Sequence, residues 1–305
     1  MGHRTTAADA GLVPLGDHAV ARIGYGATQL AGYSAMGMPA AAHEVEAVLH
    51  KAIELGVTHI DIDDLFGPQH IANQMLHRAL YPYPETLTFA TKVGVARARD
   101  GSFLPATSPK ELQRAVHNNL RSLRVEALDV VYLRLNRLQL PQAHHPAEEQ
   151  LAVLTRLREK GSIKYLGLCN VHVGNLRQLR EVAPITCVQN MYNIANRDAE
   201  TVLSECEATG LVFVPASPMR CLTPAALTVL GESATFLNTS IAQVALAWLL
   251  ERSPNVLLVP STSKTAHLKE NIEAASLKLP SEITKKLNIV PSIRAVTANR
   301  RGSSN

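Results

Sequence analysis

Four charged side chains stand where strands should end, and they are the residues best placed to do chemistry: Asp61, Asp63, Lys92 and Arg134. The two acids belong to Thr58-His59-Ile60-Asp61-Ile62-Asp63-Asp64-Leu65-Phe66-Gly67-Pro68, which crowds carboxylates into the end of an apolar strand. Side chains alternate along a strand, so Ile60 and Ile62 point one way and His59, Asp61 and Asp63 the other. Carboxylates on a buried sheet face are costly unless paired, so cationic partners are expected nearby. Lys92 ends the strand predicted over 86–93, on the face of Thr88 and Ala90. Arg134 ends the strand predicted over 128–135, on the face of Val130 and Tyr132. Carboxylates, an ammonium and a guanidinium brought together can move protons and hold a developing oxyanion. The same groups could instead form a buried ion-pair network with no chemistry.

The elements that must position these residues alternate along the chain. Gly24 and Gly26, in the apolar stretch 22–30, suit a short strand ending in a turn with close backbone approach. Val45, Val48, Leu49 and Ala52 fall at helical spacing, and Gly56 is the C-terminal cap. After the acidic strand a helix is predicted over 70–80, stopped by Pro82 and Pro84. Ser108-Pro109 opens another helix to about Leu123, with Ser as N-cap and Pro in the first helical position. Strands over 163–169, 187–190, 211–216 and 256–260 and helices over 146–160, 173–182, 198–209 and from Ser240 complete the series. Eight strands, each followed by a helix or a long loop, predict an α/β fold: a single-domain (β/α)8 TIM barrel. An open doubly wound sheet is the competitor, but no GxGxxG follows an early strand. The barrel is assigned to residues 21–293, after a polar N-terminal segment over 1–20 and before a flexible tail over 294–305. Active sites of such barrels lie at the C-terminal strand ends, where Asp61, Lys92 and Arg134 fall on three successive strands.

Composition narrows the function classes. Of the 305 residues 46% are hydrophobic and 18% charged, and no uninterrupted apolar stretch is long enough to cross a membrane. Met1 to Ala10 lacks the apolar core of a secretion signal, so a cytoplasmic protein is expected. The net charge of +4 comes from scattered Lys and Arg without interleaved aromatics, which argues against nucleic acid and fits an anionic cofactor. Cys169, Cys187, Cys206 and Cys221 form no CxxC pair, and they read as free thiols. His144-His145 has no third ligand within reach in the sequence and reads as a solvated loop, so no metal is expected.

Five motifs in order make the chain, from Gly24 to Leu279, resemble the aldo-keto reductases. His59-Ile60-Asp61 to Gly67-Pro68 is similar to the family's segment bearing the catalytic Asp and Tyr, and Thr91-Lys92 to the strand end bearing the catalytic Lys. Gly161-Ser162-Ile163-Lys164-Tyr165-Leu166-Gly167-Leu168-Cys169-Asn170 resembles GxIRxxGxSN, with Cys169 in place of Ser. Val188-Gln189-Asn190-Met191-Tyr192-Asn193 resembles the QxxYN block, and Val259-Pro260-Ser261-Thr262-Ser263-Lys264 with His267, Glu270 and Asn271 resembles the segment that binds the adenosine 2′-phosphate. The resemblance implies NADP (NADPH) as cofactor. Asn170 and Gln189 would hold the nicotinamide carboxamide, Ser217 and Ser261 to Lys264 the phosphates, and Glu270 with Asn271 the adenine. Gly26, Thr28, Asp61, Cys169 and His267 complete the implied cofactor set. A helix opening after Ser261-Thr262-Ser263 would offer backbone amides to an anion, although an ordinary Ser/Thr helix cap reads the same way.

Departures from the family pattern fall on the chemistry. Phe66 stands where the resemblance puts the acid Tyr, Arg134 where it puts the substrate-orienting His, and Ala216 where an aromatic ring stacks on the nicotinamide. Phe has no proton to give, and a positioned donor contributes about 10²- to 10⁴-fold. Arg134 stays protonated and suits an oxyanion clamp, which leaves Lys92, Asp63, water or the substrate as the donor. Three functions follow. The first is an NADPH-dependent reductase acting on a carbonyl, imine or polarised double bond of a small molecule, such as a biosynthetic intermediate, with a substitute donor. The second is a cyclase, dehydratase or isomerase using Asp61, Asp63, Lys92 and Arg134 without redox chemistry. The third is an NADP-binding sensor. Loops over 95–107 (Arg97, Arg99, Phe103) and 136–146 (Arg137, Leu138, Leu140), with Tyr25, Tyr33 and Met36, are expected to wall the substrate pocket.

Overall fold

The structure, a computed structural model, describes residues 4–32, 39–135 and 145–292. Tyr33, Met36, Arg137, Leu138, Leu140, His144 and the expected tail lie outside the described residues. Within the span read from sequence as a polar N-terminal segment, β1 (Leu12–Leu15) and β2 (His18–Ala21) pair as an antiparallel hairpin. Then come β3 (Tyr25–Gly26), α1 (Ala42–Glu54), β4 (His59–Asp61), α2 (Ile71–Leu80) and β5 (Thr88–Val93). The loop expected over 95–107 folds into a second hairpin, β6 (Val95–Arg97) with β7 (Phe103–Pro105). The chain continues through α3 (Pro109–Leu123), β8 (Leu128–Arg134), α4 (Ala147–Glu159), β9 (Ile163–Cys169), α5 (Val173–Arg180), β10 (Ile185–Met191), α6 (Glu200–Thr209) and β11 (Val212–Ala216). It ends in α7 (Pro224–Phe236), α8 (Ile241–Glu251), α9 (Thr265–Glu273) and α10 (Ser281–Asn288).

Seven parallel strands are ordered β11-β10-β9-β8-β5-β4-β3. Residues 256–261 supply the eighth position through parallel bridges from Val256 to Phe213, Leu258 to Ile23 and Ser261 to Gly26, which closes the (β/α)8 barrel in one domain. The backbones crowd at this closure. A Cβ on Gly24 would stand 2.7 Å from the His59 carbonyl oxygen, and one on Gly26 2.6 Å from that of Val259. Helix starts follow the capping rules: at α3 Ser108 Oγ accepts from the Glu111 amide and the Glu111 carboxylate accepts from Ser108 N at 3.0 Å.

Strand parity divides the core in two. Ala90, Val130, Tyr132, Cys169, Cys187, Val212, Val214 and Leu257 fill the barrel interior, and Val13, Leu15 and Val20 of the hairpin pack with them. On the other face, Ile60, Ile62, Phe89, Val131 and Leu133 belong to the larger layer that the helices cover with Leu49, Leu76, Leu112 and Leu154. The hairpin meets β9: the Asp17 amide donates to the Tyr165 hydroxyl at 2.8 Å. Cys169, Cys187 and Cys206 are buried free thiols and Cys221 is exposed. Among the described residues no group of His, Cys, Asp and Glu is arranged to hold a metal ion.

Candidate active site

β4, β5 and β8 are hydrogen-bonded neighbours, and their C-terminal ends bring Asp61, Lys92 and Arg134 into one region. Lys92 Nζ donates to Asp61 Oδ2 at 2.7 Å, Asp61 Oδ1 at 2.9 Å and the Ile62 carbonyl at 3.0 Å, which commits all three ammonium protons. The two side chains are 5% and 8% exposed, so the pair is shielded from solvent screening. Tyr132 lies beneath, its ring centroid 5.7 Å from Nζ. Beside Lys92, Thr91 donates to the buried Asn119, which also accepts from Asn73, and this network orients the end of β5.

Arg134 does not join the Lys92 pair. Its Nη2 donates to Asp63 at 2.6 Å. Asp61 at the end of β4 and Asp63 two residues beyond it therefore serve two separate ion pairs instead of one cluster. Burial opposes the Arg134 charge, but Asp63, helped by the Cys169 side chain, more than offsets it and holds the guanidinium pKa above its ordinary value. Burial would likewise raise the Asp63 carboxyl, yet Arg134 and Lys92 bring it below the usual carboxylate value. His59, one turn of the strand earlier, is fully enclosed, and burial pushes its imidazole down to about 4. Its Nδ1 lies 2.9 Å from Thr88 Oγ1, while Nε2 has no partner among the described residues.

A cavity of about 650 Å³ runs from this region along the seam of the barrel. Asp61, Asp63, Phe66 and Lys92 line one part, and Ser261, Thr262, His267, Glu270 and Asn271 another. Of the other residues singled out from sequence, Gly26, Thr28, Gln189, Ala216 and Ser217 also line it. Cys169, Asn170, Ser263 and Lys264 are not among its walls. Cys169 is buried in the barrel interior, and Lys264, expected on a phosphate, is engaged with Glu44 on α1. The Ser/Thr cluster is partly used by the fold itself: Ser261 Oγ accepts from Gln29 N at 2.8 Å and Thr262 Oγ1 from Lys264 N at 3.0 Å. Sequence reasoning missed Gln29, Met219 and Arg220, which also border the cavity. The last two follow Ser217-Pro218 directly and ride on a loop held by Asn193, whose Nδ2 donates to the carbonyls of Ser217 (3.2 Å) and Arg220 (2.9 Å). Ser217 takes a left-handed backbone conformation, φ +58°, which is costly for a residue other than glycine.

A cleft of this volume at the strand ends, lined by both polar and apolar side chains, fits a dinucleotide. Gln189 and Asn271, at 2% and 8% exposure, face it with side-chain amides that make no hydrogen bond among the described residues. Such buried amides are ready to bond a ligand.

The chain belongs to the aldo/keto reductase family, whose model matches residues 22–290, and so to a class of oxidoreductases. It is 45% identical over 278 residues to pyridoxine 4-dehydrogenase of Escherichia coli strain K12, covering 90% of this chain and 96% of that protein. A thermostable aldo-keto reductase solved with the inhibitor epalrestat superposes with a TM-score of 0.78 at 27% identity, over 91% of this chain and 98% of that one. An aldo/keto reductase from Klebsiella pneumoniae, solved with NADP and acetate, shares the fold with a TM-score of 0.77 at 22% identity, over 92% and 95% of the two chains.

Proposed function

We propose that this protein is an NADPH-dependent oxidoreductase that interconverts an aldehyde and an alcohol on a small molecule, with Lys92 carrying the proton that the family's Tyr would carry. The observation behind it is the cavity that joins the Asp61–Lys92 pair to the open amides of Gln189 and Asn271. In this reading Gln189 holds the carboxamide, Ser217, Ser261 and Thr262 the phosphates, and Glu270 with Asn271 the adenine. When bound, the cofactor supplies the hydride.

Phe66 gives the site an apolar wall in place of a phenol. Lys92 is the nearest candidate acid: an alkoxide reaching Nζ exchanges for one of its three acceptors and takes that proton. Asp61 keeps its hydrogen bond to the amine left behind, and its negative charge favours the return of a proton to that amine from solvent. Arg134, tied to Asp63, acts from the side as a fixed positive charge. The pyridoxal/pyridoxine pair is the first substrate to assay, because the E. coli relative is named for it. A non-redox enzyme on the same scaffold is the second reading, favoured by the missing phenol at Phe66.

A fluorescence titration with NADPH beside NADH separates the two. Saturable NADPH binding, followed by NADPH oxidation with pyridoxal, supports reduction, and Phe66→Tyr should raise that rate about tenfold or more. Lack of saturable binding, or a folded Phe66→Tyr variant that binds NADPH and gains nothing, counts against it.

A further inference from the structure

A second cavity, of about 450 Å³, opens between the end of β5, the β6–β7 hairpin and α3. Five cations border it: Lys92, Arg97, Arg99, Arg114 and Arg134. Only two carboxylates do, and both are engaged. Asp64 accepts from the His70 amide at 2.8 Å and lies 2.5 Å from its imidazole, while Glu111 is held by the amide and hydroxyl of Ser108 at 3.0 and 2.6 Å. Lys92 and Arg134 are already paired with Asp61 and Asp63, so three cations, Arg97, Arg99 and Arg114, face two carboxylates and leave the chamber a net positive charge.

Two of its guanidinium groups are also short of partners. Arg97 Nη1 and Arg134 Nε are buried with no hydrogen-bond acceptor among the described residues. A charged N–H buried without an acceptor is costly, and a planar guanidinium fork matches an oxyanion in shape and charge. Neither group is needed to hold the fold through that atom. Lys92 lines this chamber as well as the first cavity, so one small molecule can have a foot in each.

We propose that this chamber is an oxyanion-binding subsite, with Arg97 and Arg134 as its ligands, and that the substrate is an aldehyde bearing a phosphate or carboxylate. The second half rests on the reductase reading above; the first half does not. With its anion between Arg97 and Arg134, the rest of the molecule extends past Lys92, which leaves its carbonyl at the cofactor cavity. Arg97 sits on the β6–β7 hairpin, so the subsite forms only while that hairpin is folded against α3.

The test has two arms on the full-length protein. In the first, inorganic phosphate and acetate are titrated without NADPH and followed by thermal unfolding against chloride at matched ionic strength. A saturable rise in Tm that Arg97→Gln abolishes supports the subsite, and the anion that saturates at the lower concentration identifies phosphate or carboxylate. A rise no larger than chloride gives, or one unchanged in Arg97→Gln, overturns it. In the second, KM is measured with NADPH for 3-carboxybenzaldehyde and for benzaldehyde. The wild-type protein should favour the anionic aldehyde by about tenfold or more, and Arg97→Gln should erase that preference. Equal KM values in the wild-type protein overturn the substrate assignment. Arg97-dependent phosphate binding without turnover of any aldehyde supports the subsite and sinks the reductase reading instead.

Discussion

His59 should make the fold acid-sensitive in a window set by its burial. The imidazole is fully enclosed and pushed down to about 4 from an ordinary 6.5. As pH falls the unfolded chain takes the proton first, so stability is lost from about pH 6.5 downward and the loss levels off below about pH 4. One pKa unit is worth about 1.4 kcal/mol, which gives a loss of about 2 kcal/mol by pH 4.5 and about 3 kcal/mol in full. Carboxylates also titrate in this range, so the wild-type curve alone cannot isolate His59. His59→Gln, which keeps a group able to bond Thr88, removes the titration and leaves the carboxylates in place. Urea unfolding of both proteins at pH 7, 5.5 and 4.5 measures the difference. The gap between them should change by about 2 kcal/mol in favour of the variant on going from pH 7 to 4.5. Parallel pH dependences would mean that His59 is not held neutral by burial, and the account of the β4 interior would fall with it.

Other consequences are equally open to measurement. Lys92→Met leaves Asp61 buried without its partner and should cost about 3–5 kcal/mol in urea unfolding. Adding Asp61→Asn should recover part of that, and strict additivity would show that the pair is not coupled. Asn193→Ala frees the loop over 217–220 and should weaken NADPH about tenfold by fluorescence titration, while unchanged affinity would detach that loop from the cofactor.

Much of this fold is legible in the sequence because its signals are local. Ser108-Pro109 with Glu111 carries the whole capping box of α3 within four residues, and the parity of Val130, Tyr132 and Arg134 separates barrel interior from helix layer on β8. Asp61 and Lys92 meet because adjacent parallel strands leave them little choice. What escaped depends on choices among distant partners. Arg134 had two acids within reach of its strand end, and only the packed backbone shows that it takes Asp63. Lys264 is drawn away by Glu44, 220 residues earlier, which no local pattern could reveal. The hairpin over 12–21 did carry a signal, apolar Val13, Leu15 and Val20 around Gly16-Asp17, but its short strands were lost among polar neighbours. The second chamber was legible only in part: the loop over 95–107 with Arg97 and Arg99 was expected to wall a pocket, but Arg114 joins it only because the β6–β7 hairpin faces α3 across the cavity.

The barrel is not equally strong around its circumference. Seven strands are joined by ladders, with a register shift between β9 and β10, but residues 256–261 close the circle through three isolated bridges, and Val259, Pro260 and Ser261 of that segment form a wall of the first cavity. The join made by bridges instead of a ladder is therefore also the wall against which a dinucleotide would lie. A ligand there works as a clasp: its binding energy adds to the folded state by mass action and falls first on the amides of the seam. Unliganded protein should breathe along this line, exchanging the amide hydrogens of Gly24, Gly26 and Leu258 before those of β8 and β9. The unliganded molecule then resembles a ring with a gap, and the pool of cofactor in its surroundings becomes one of the determinants of how long it survives.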